Sequence, residues 1–171
     1  KLKISRMTVR EPIIKTKNLR VIYDKGTPAE TVALNEASIE IFPEEYVIFF
    51  GPSGCGKSSL LYALAGIETS FTGEASVGGQ NLHLMTSDEL AIYHRTTIGM
   101  VFQSFNLVNT LNVLDNIALP QTFQGASREE RQRKARVLLD RFELKHIEKR
   151  LPMELSGGQQ QRVAIARALV N

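Results

Sequence analysis

The apolar positions of this chain change period along its length. Asn18–Asp24 and Ala37–Phe42 read as strands, the second with alternating apolar and polar residues. Lys25-Gly26-Thr27-Pro28 between them is rich in turn residues. Tyr46–Phe50 is a continuous apolar run closed by Gly51, the pattern of a buried strand. A helical period begins at Lys57, where Leu60, Leu61, Leu64 and Ala65 fall on one face and Gly66 is placed to end the helix. Gly73–Val77 predicts a short strand closed by Gly78-Gly79. Ser87 is the expected N-cap of a helix with Leu90 on its apolar side, and Ile98–Phe102 predicts another strand.

From about Leu111 to Leu151 the pattern is helical. Leu111, Leu114, Ile117 and Ala118 share a face, and Ser127 with Glu130 forms a capping-box signature. Glu129–Arg133 and Glu130–Lys134 are expected ion pairs at i,i+4 in the favoured orientation, with Leu138, Leu139 and Phe142 on the buried side. Ser156 to about Val170 is again helical, with Val163, Ile165, Ala166 and Leu169 apolar.

Length and composition suit one domain with a subdomain: 171 residues, 43% hydrophobic and 23% charged. No apolar run is long enough to span a bilayer, and no signal-peptide pattern follows the basic start. The single cysteine excludes an internal disulfide and fits a reducing compartment. The first residue is Lys1, so a trimmed N-terminus or a fragment is expected. Residues 1–25 hold eight basic and two acidic side chains, a net +6 within a total of +3. Acidic lipid or nucleic acid could attract such a flank. A solvated flank is the preferred reading, since Tyr23 is the only aromatic there for stacking. The basic cluster Arg128, Arg131, Arg133, Lys134 and Arg136 also reads as a solvated helix face, and no nucleic-acid partner is expected.

Between the apolar run and the first helix lies Gly51-Pro52-Ser53-Gly54-Cys55-Gly56-Lys57-Ser58, which matches the spacing G-x-x-x-x-G-K-S of a phosphate-binding loop. Glycines at these positions permit backbone shapes that turn successive N–H groups inward to form a concave anion site. The helix that follows adds the positive end of its dipole. In such a loop Lys57 reaches the β- and γ-phosphates and the Ser58 hydroxyl ligates Mg²⁺. Strand, loop, helix is the context this motif requires. Cys55, beside Lys57 at a helix start, is expected to be alkylated readily and protected by ATP, with an inert small residue as the alternative.

A second glycine-rich segment, Leu155-Ser156-Gly157-Gly158-Gln159, is followed by Gln160-Gln161-Arg162. After a phosphate loop, it resembles the signature motif of ATP-binding-cassette (ABC) ATPases, and the resemblance covers the whole chain. It implies an α/β fold: a P-loop NTPase core with an antiparallel β subdomain and a helical subdomain. The expected divisions are 1–103 for the β-rich core, 104–154 for the helical subdomain and 155–171 for the signature and its helix. The resemblance implies that Tyr23 stacks on adenine. Gly51, Ser53, Gly54, Cys55, Gly56, Lys57, Ser58 and Ser59 would contact the phosphates. Gln103 would contact Mg²⁺ or the attacking water. Two such domains would pair head to tail, with Ser156, Gly157, Gly158 and Gln159 of one facing the ATP held by Lys57 of the other. The pair would drive a transmembrane permease from the inner, cytoplasmic face of the cell membrane. The runs Val101–Leu107 and Asp115–Pro120 are most similar to the group that exports lipoproteins and macrolides.

The family also carries, after the signature helix, an aspartate that holds Mg²⁺, a glutamate that activates water and a histidine on the γ-phosphate. None of these is found before Asn171, and His83, His94 and His146 all precede the signature. The expectation is therefore a C-terminally incomplete ATPase, poorly soluble and inactive alone, with Tyr46–Phe50 left as an unpaired apolar edge. A non-catalytic nucleotide-binding module and a soluble ABC-type protein acting on nucleic acid or ribosomes are the alternatives.

Overall fold

The computed structural model describes residues 10–171. Residues 1–9, with three of the eight basic side chains of the flank, lie outside that range. The chain divides into two compact units, one up to Leu90 and one from Ala91 to Asn171.

The first unit is built on an antiparallel sheet. Its strands are β1 (Ile14–Tyr23), β2 (Thr31–Ala37), β3 (Glu40–Ile41), β4 (Phe71–Val77) and β5 (Gln80–Asn81), in the order β2-β1-β4-β5 with β3 also paired to β1. The central strand β1 turns Thr16 inward and, after an irregularity at Asn18 (φ 49°) that resets the alternation, Leu19 and Val21. Thr16 is buried because it bridges the gap between β2 and β3: its hydroxyl donates to the Ala37 carbonyl at 2.9 Å and accepts from the Ile39 N–H at 3.1 Å. Gly78-Gly79, both at positive φ, closes the β4-β5 hairpin. Helix α1 (Lys57–Leu64) lies against β2 and β4 and buries Leu60, Ala63 and Leu64, while Leu61 faces outward.

Two expected strands do not form. Tyr46–Phe50 and Ile98–Phe102 pair with no strand among the described residues. A strand satisfies its N–H and C=O groups only through a neighbour, so an apolar pattern without a partner strand does not make a ladder. Tyr46 is 91% exposed and Phe50 99% exposed.

Helix α2 (Ser87–Thr96) crosses the boundary at Leu90. Its cap is Thr86, one residue earlier than expected. The Glu89 N–H donates to the Thr86 hydroxyl, and the Glu89 carboxylate accepts from both the Thr86 N–H and its hydroxyl at 2.8 Å. Those bonds hold the Glu89 carboxyl below its usual pKa.

The second unit packs α3 (Val113–Phe123), α4 (Arg128–Arg141) and α5 (Gly157–Ala168) around one apolar core. Val113, Leu114, Ile117 and Ala118 of α3 meet Ala135 and Leu139 of α4 and Val163 and Ala166 of α5. Leu138 and Phe142 pack at its edge, and Leu169 is exposed. The Ser127 hydroxyl caps α4 as expected. Lys134 pairs with Glu130 at 3.7 Å and also donates to the Gln121 side chain at 2.8 Å; Arg136 pairs with Glu148. Glu129 and Arg133 form no ion pair within 4 Å, both being solvated at the surface. His83, His94 and His146 are all exposed; the first lies tilted against Phe71 with ring centroids 5.5 Å apart, and the second lies beside Tyr93.

Candidate nucleotide-binding site

The phosphate-loop residues belong to the first unit. Gly51–Gly56 is a loop, and α1 starts at Lys57. Gly56 is the N-cap in the left-handed region at φ 89° and provides no side-chain cap. A Cβ there would run into the Ala33 carbonyl, so only glycine fits both the torsion and the space. Gly54 is also left-handed, at φ 81°. The first hydrogen bond of α1 runs from the Leu60 N–H to the Gly56 carbonyl at 2.9 Å. The N–H groups before Leu60 are thus the unpaired donors found at any helix start.

Lys57 is folded back over this loop. Its ammonium donates to the Gly51 carbonyl at 2.9 Å and the Pro52 carbonyl at 2.6 Å, and lies 3.4 Å from the Cys55 thiol. Ser53, Gly54, Cys55 and Ser58 are exposed, whereas Ser59 is buried on the inner side of α1. Tyr23, at the end of β1, donates its hydroxyl to the Ser59 hydroxyl at 3.4 Å, so the aromatic ring is tied to the phosphate-loop helix. Beneath the loop lies a cavity of about 360 Å³ lined by Leu34, Ile48, Phe49, Phe50, Leu60 and the loop itself.

The other predicted residues lie in the second unit. Ser156 caps α5 through a complete capping box: its hydroxyl accepts the Gln159 N–H at 3.3 Å, and its own N–H donates to the Gln159 side chain at 3.0 Å. The Ser156 hydroxyl keeps its proton available for a further acceptor. Gly157 and Gly158 are exposed in the first turn. Gln103 is exposed in a turn, where the Phe105 N–H donates to the Phe102 carbonyl at 3.0 Å. A residue missed in the sequence stands behind that turn. Arg167 of α5 donates to the Phe105 and Asn106 carbonyls, each at 2.7 Å.

One electrostatic difference separates the helices. The first turns of α2, α3 and α4 carry Asp88 and Glu89, Asp115, and Glu129 and Glu130. Those carboxylates compensate the helix dipole. The first turns of α1 and α5 carry no acidic residue. Both glycine-rich helix starts are therefore open to an external anion. The donor set also fits Mg²⁺ bound chiefly through phosphate oxygens. No cluster of three His, Cys, Asp or Glu side chains able to hold a metal exists among the described residues. A single hydroxyl such as that of Ser58 suits an ion that keeps waters and phosphate oxygens as its other ligands.

The model of the ABC transporter family matches residues 34–171. The chain belongs to the ABC transporter family. It is 43% identical over 159 residues to an uncharacterized ABC transporter ATP-binding protein, MJ1508 of Methanocaldococcus jannaschii, covering 93% of this chain and 70% of that protein. It is 38% identical over 159 residues to the macrolide export ATP-binding/permease protein MacB of Mannheimia succiniciproducens, covering 93% of this chain and 25% of that protein. Among solved structures it is similar to the dimeric ABC transporter cassette MJ0796, with a TM-score of 0.86 and 40% identity over 92% of this chain and 69% of that one. The same cassette in a post-hydrolysis dimer bound to ADP and Pi gives a TM-score of 0.85 at 39% identity. The chain spans 65% of a Mycobacterium tuberculosis ATP-binding relative and about a quarter of the fused export proteins. The fold of this family, a P-loop cassette with an antiparallel sheet and a helical part, is the fold class expected from the sequence.

Proposed function

We propose that this chain is the ATP-binding part of a transport ATPase that binds MgATP in a head-to-tail pair of cassettes and powers export through a permease. The observation that carries the reading is the Gly51–Gly56 loop closing on the Lys57 ammonium at the start of a helix without first-turn acids. In this reading Gly51, Ser53, Gly54, Cys55, Gly56, Lys57, Ser58 and Ser59 surround the phosphates. Lys57 leaves the loop carbonyls for the β- and γ-oxygens, and Ser58 ligates Mg²⁺. Tyr23 supports the base. Gln103 contacts the metal or the attacking water. Ser156, Gly157, Gly158 and Gln159 face the nucleotide of a second copy, with the Ser156 hydroxyl donating outward while its oxygen caps α5.

The relatives support the pairing and the partner. MJ0796 cassettes are dimeric, and MacB joins an ATP-binding part to a permease in one protein. No helix among the described residues is long and apolar enough to cross a membrane. The proposed location is the inner face of the cell membrane.

Titration of the purified protein with ATP and Mg²⁺ tests the reading. Lys57→Ala is expected to weaken binding at least tenfold, the equivalent of one charge-assisted hydrogen bond of about 1.5–3 kcal/mol. Binding that is equal in wild type and Lys57→Ala would overturn the phosphate-loop assignment.

A further inference from the structure

We propose that Arg167 is a positioning residue that locks the turn carrying Gln103 to the helix that begins at Ser156. The idea rests on the functional reading only for the roles of those two segments; the tether itself stands on geometry.

Gln103 lies in a tight turn that local bonds close, the Phe105 N–H to the Phe102 carbonyl at 3.0 Å and the Asn106 N–H to the Ser104 carbonyl at 2.7 Å, and that a distant side chain also grips. Phe105 and Asn106, which follow it, are successive non-glycine residues in the left-handed region, at φ 61° and 45°. Side chains disfavour that conformation, and two in a row persist only where surrounding contacts impose it. The Ser104 hydroxyl donates to the Asn106 side chain at 2.7 Å, which supports the turn locally. The long-range contact comes from Arg167, more than sixty residues away. Its Nη1 donates to the Asn106 carbonyl and its Nη2 to the Phe105 carbonyl, both at 2.7 Å. The planar guanidinium thus offers a separate nitrogen to each of two successive carbonyls, whereas a lysine here brings one nitrogen on a differently shaped side chain. Burial lowers the pKa of Arg167 from its ordinary value, in keeping with a cation drawn partly out of water for these bonds.

Gly99 brings the strand-like segment before the turn against the same helix end. A Cβ at Gly99 would collide with the Ala168 carbonyl. Farther along, Asn116 of α3 fixes Val108, accepting its N–H at 2.8 Å and donating to its carbonyl at 3.0 Å. The turn is therefore held on both sides, and Arg167 is its link to α5. Because α5 is a continuous helix, Ser156 at one end and Arg167 at the other lie about 16 Å apart on one rigid rod. A displacement of the Ser156 segment moves the Gln103 turn with it.

Hydrogen exchange read by mass spectrometry tests the tether in the full protein, comparing wild type, Arg167→Lys and Arg167→Ala. Exchange of the 103–107 amides is expected to rise about tenfold to a hundredfold in both variants, while α3 keeps its protection. Methylguanidinium added to Arg167→Ala is expected to slow the loop again, whereas the same salt leaves Arg167→Lys unchanged. Wild-type exchange at 103–107 in both variants would overturn the proposal. So would a uniform loss of protection across the second unit without methylguanidinium rescue, which marks a packing residue only. Failure of the ATP titration would instead count against the functional reading and leave the exchange result standing.

Discussion

The helical core of the second unit and the Tyr46–Phe50 segment of the first treat their apolar sequence in opposite ways. The second unit closes its core: Val113, Ile117, Leu139 and Val163 reach zero exposure. The first unit leaves Tyr46, Ile48 and Phe50 open to solvent beside the phosphate loop. The difference follows from what each kind of element needs. A helix satisfies its own backbone and asks of its neighbours only apolar cover. A strand needs both cover and a bonded neighbour, so Tyr46–Phe50 lacks its ladder where α3, α4 and α5 lack nothing. The exposed run Tyr46–Phe50 leads directly into the Gly51–Gly56 loop.

The strongest way to break this contrast is to damage the closed unit from inside. Asn116 is fully buried, and its side-chain amide meets four backbone groups, its two N–H bonds shared among three carbonyls. It accepts from the Val108 N–H and donates to the Val108, Leu111 and Asn112 carbonyls. Asn116→Ala removes them all, leaving the Val108 N–H without this acceptor and the facing carbonyls without these donors. The expected cost is about 2–4 kcal/mol, read as a lower urea midpoint. A loss of only a few tenths would mean that the loop from Val108 to Asn112 is held by its own geometry.

This residue also marks where sequence reading ended. The Gly51–Gly56 loop and the helix start at Lys57 were legible because the pattern that builds them is local, glycines and a helix onset within a few residues of one another. Ser127 and Ser156 were legible as caps for the same reason. Thr86 was missed by one position, since Thr86 with Glu89 and Ser87 with Leu90 differ only in which has the acidic partner three residues on. Asn116 gave no such signal, because at 100° per residue it lies opposite the face of Leu111, Leu114 and Ala118, and its partners are backbone groups of the irregular segment before the helix. Arg167 gave none, because its acceptors are backbone carbonyls in a distant turn. The missing strands failed for the physical reason above. Period two reports a strand's faces, and pairing depends on residues elsewhere.

A smaller effect sharpens the second contrast, between helix starts with and without acids. Ser156→Ala removes the cap of α5 and is expected to cost about 1 kcal/mol. Ser156→Asp keeps an acceptor for the Gln159 N–H and adds the carboxylate that α2, α3 and α4 already have, so its stability should match or exceed wild type. If the open helix start serves a phosphate, nucleotide-dependent dimerisation, measured by sedimentation, should fall in both variants despite their different stabilities. Full dimerisation in Ser156→Asp would detach the signature segment from anion binding.

The smallest expected change in stability comes from the open surface itself. Tyr46 and Phe50 are 91% and 99% exposed, so replacing them removes almost no buried area. Tyr46→Lys with Phe50→Lys should therefore shift the unfolding midpoint by no more than about 0.5 kcal/mol. Self-association should respond far more, because an apolar segment with free N–H and C=O groups is a template for pairing between copies, and lysine on such an edge blocks that pairing. Light scattering of the two proteins at equal concentration separates the terms. Wild type is expected to associate and the double variant to stay monomeric at unchanged stability. A wild-type protein that remains monomeric with a cooperative melt would show that Tyr46–Phe50 is covered in solution. In that case the contrast between the units would lie in their backbone pairing alone.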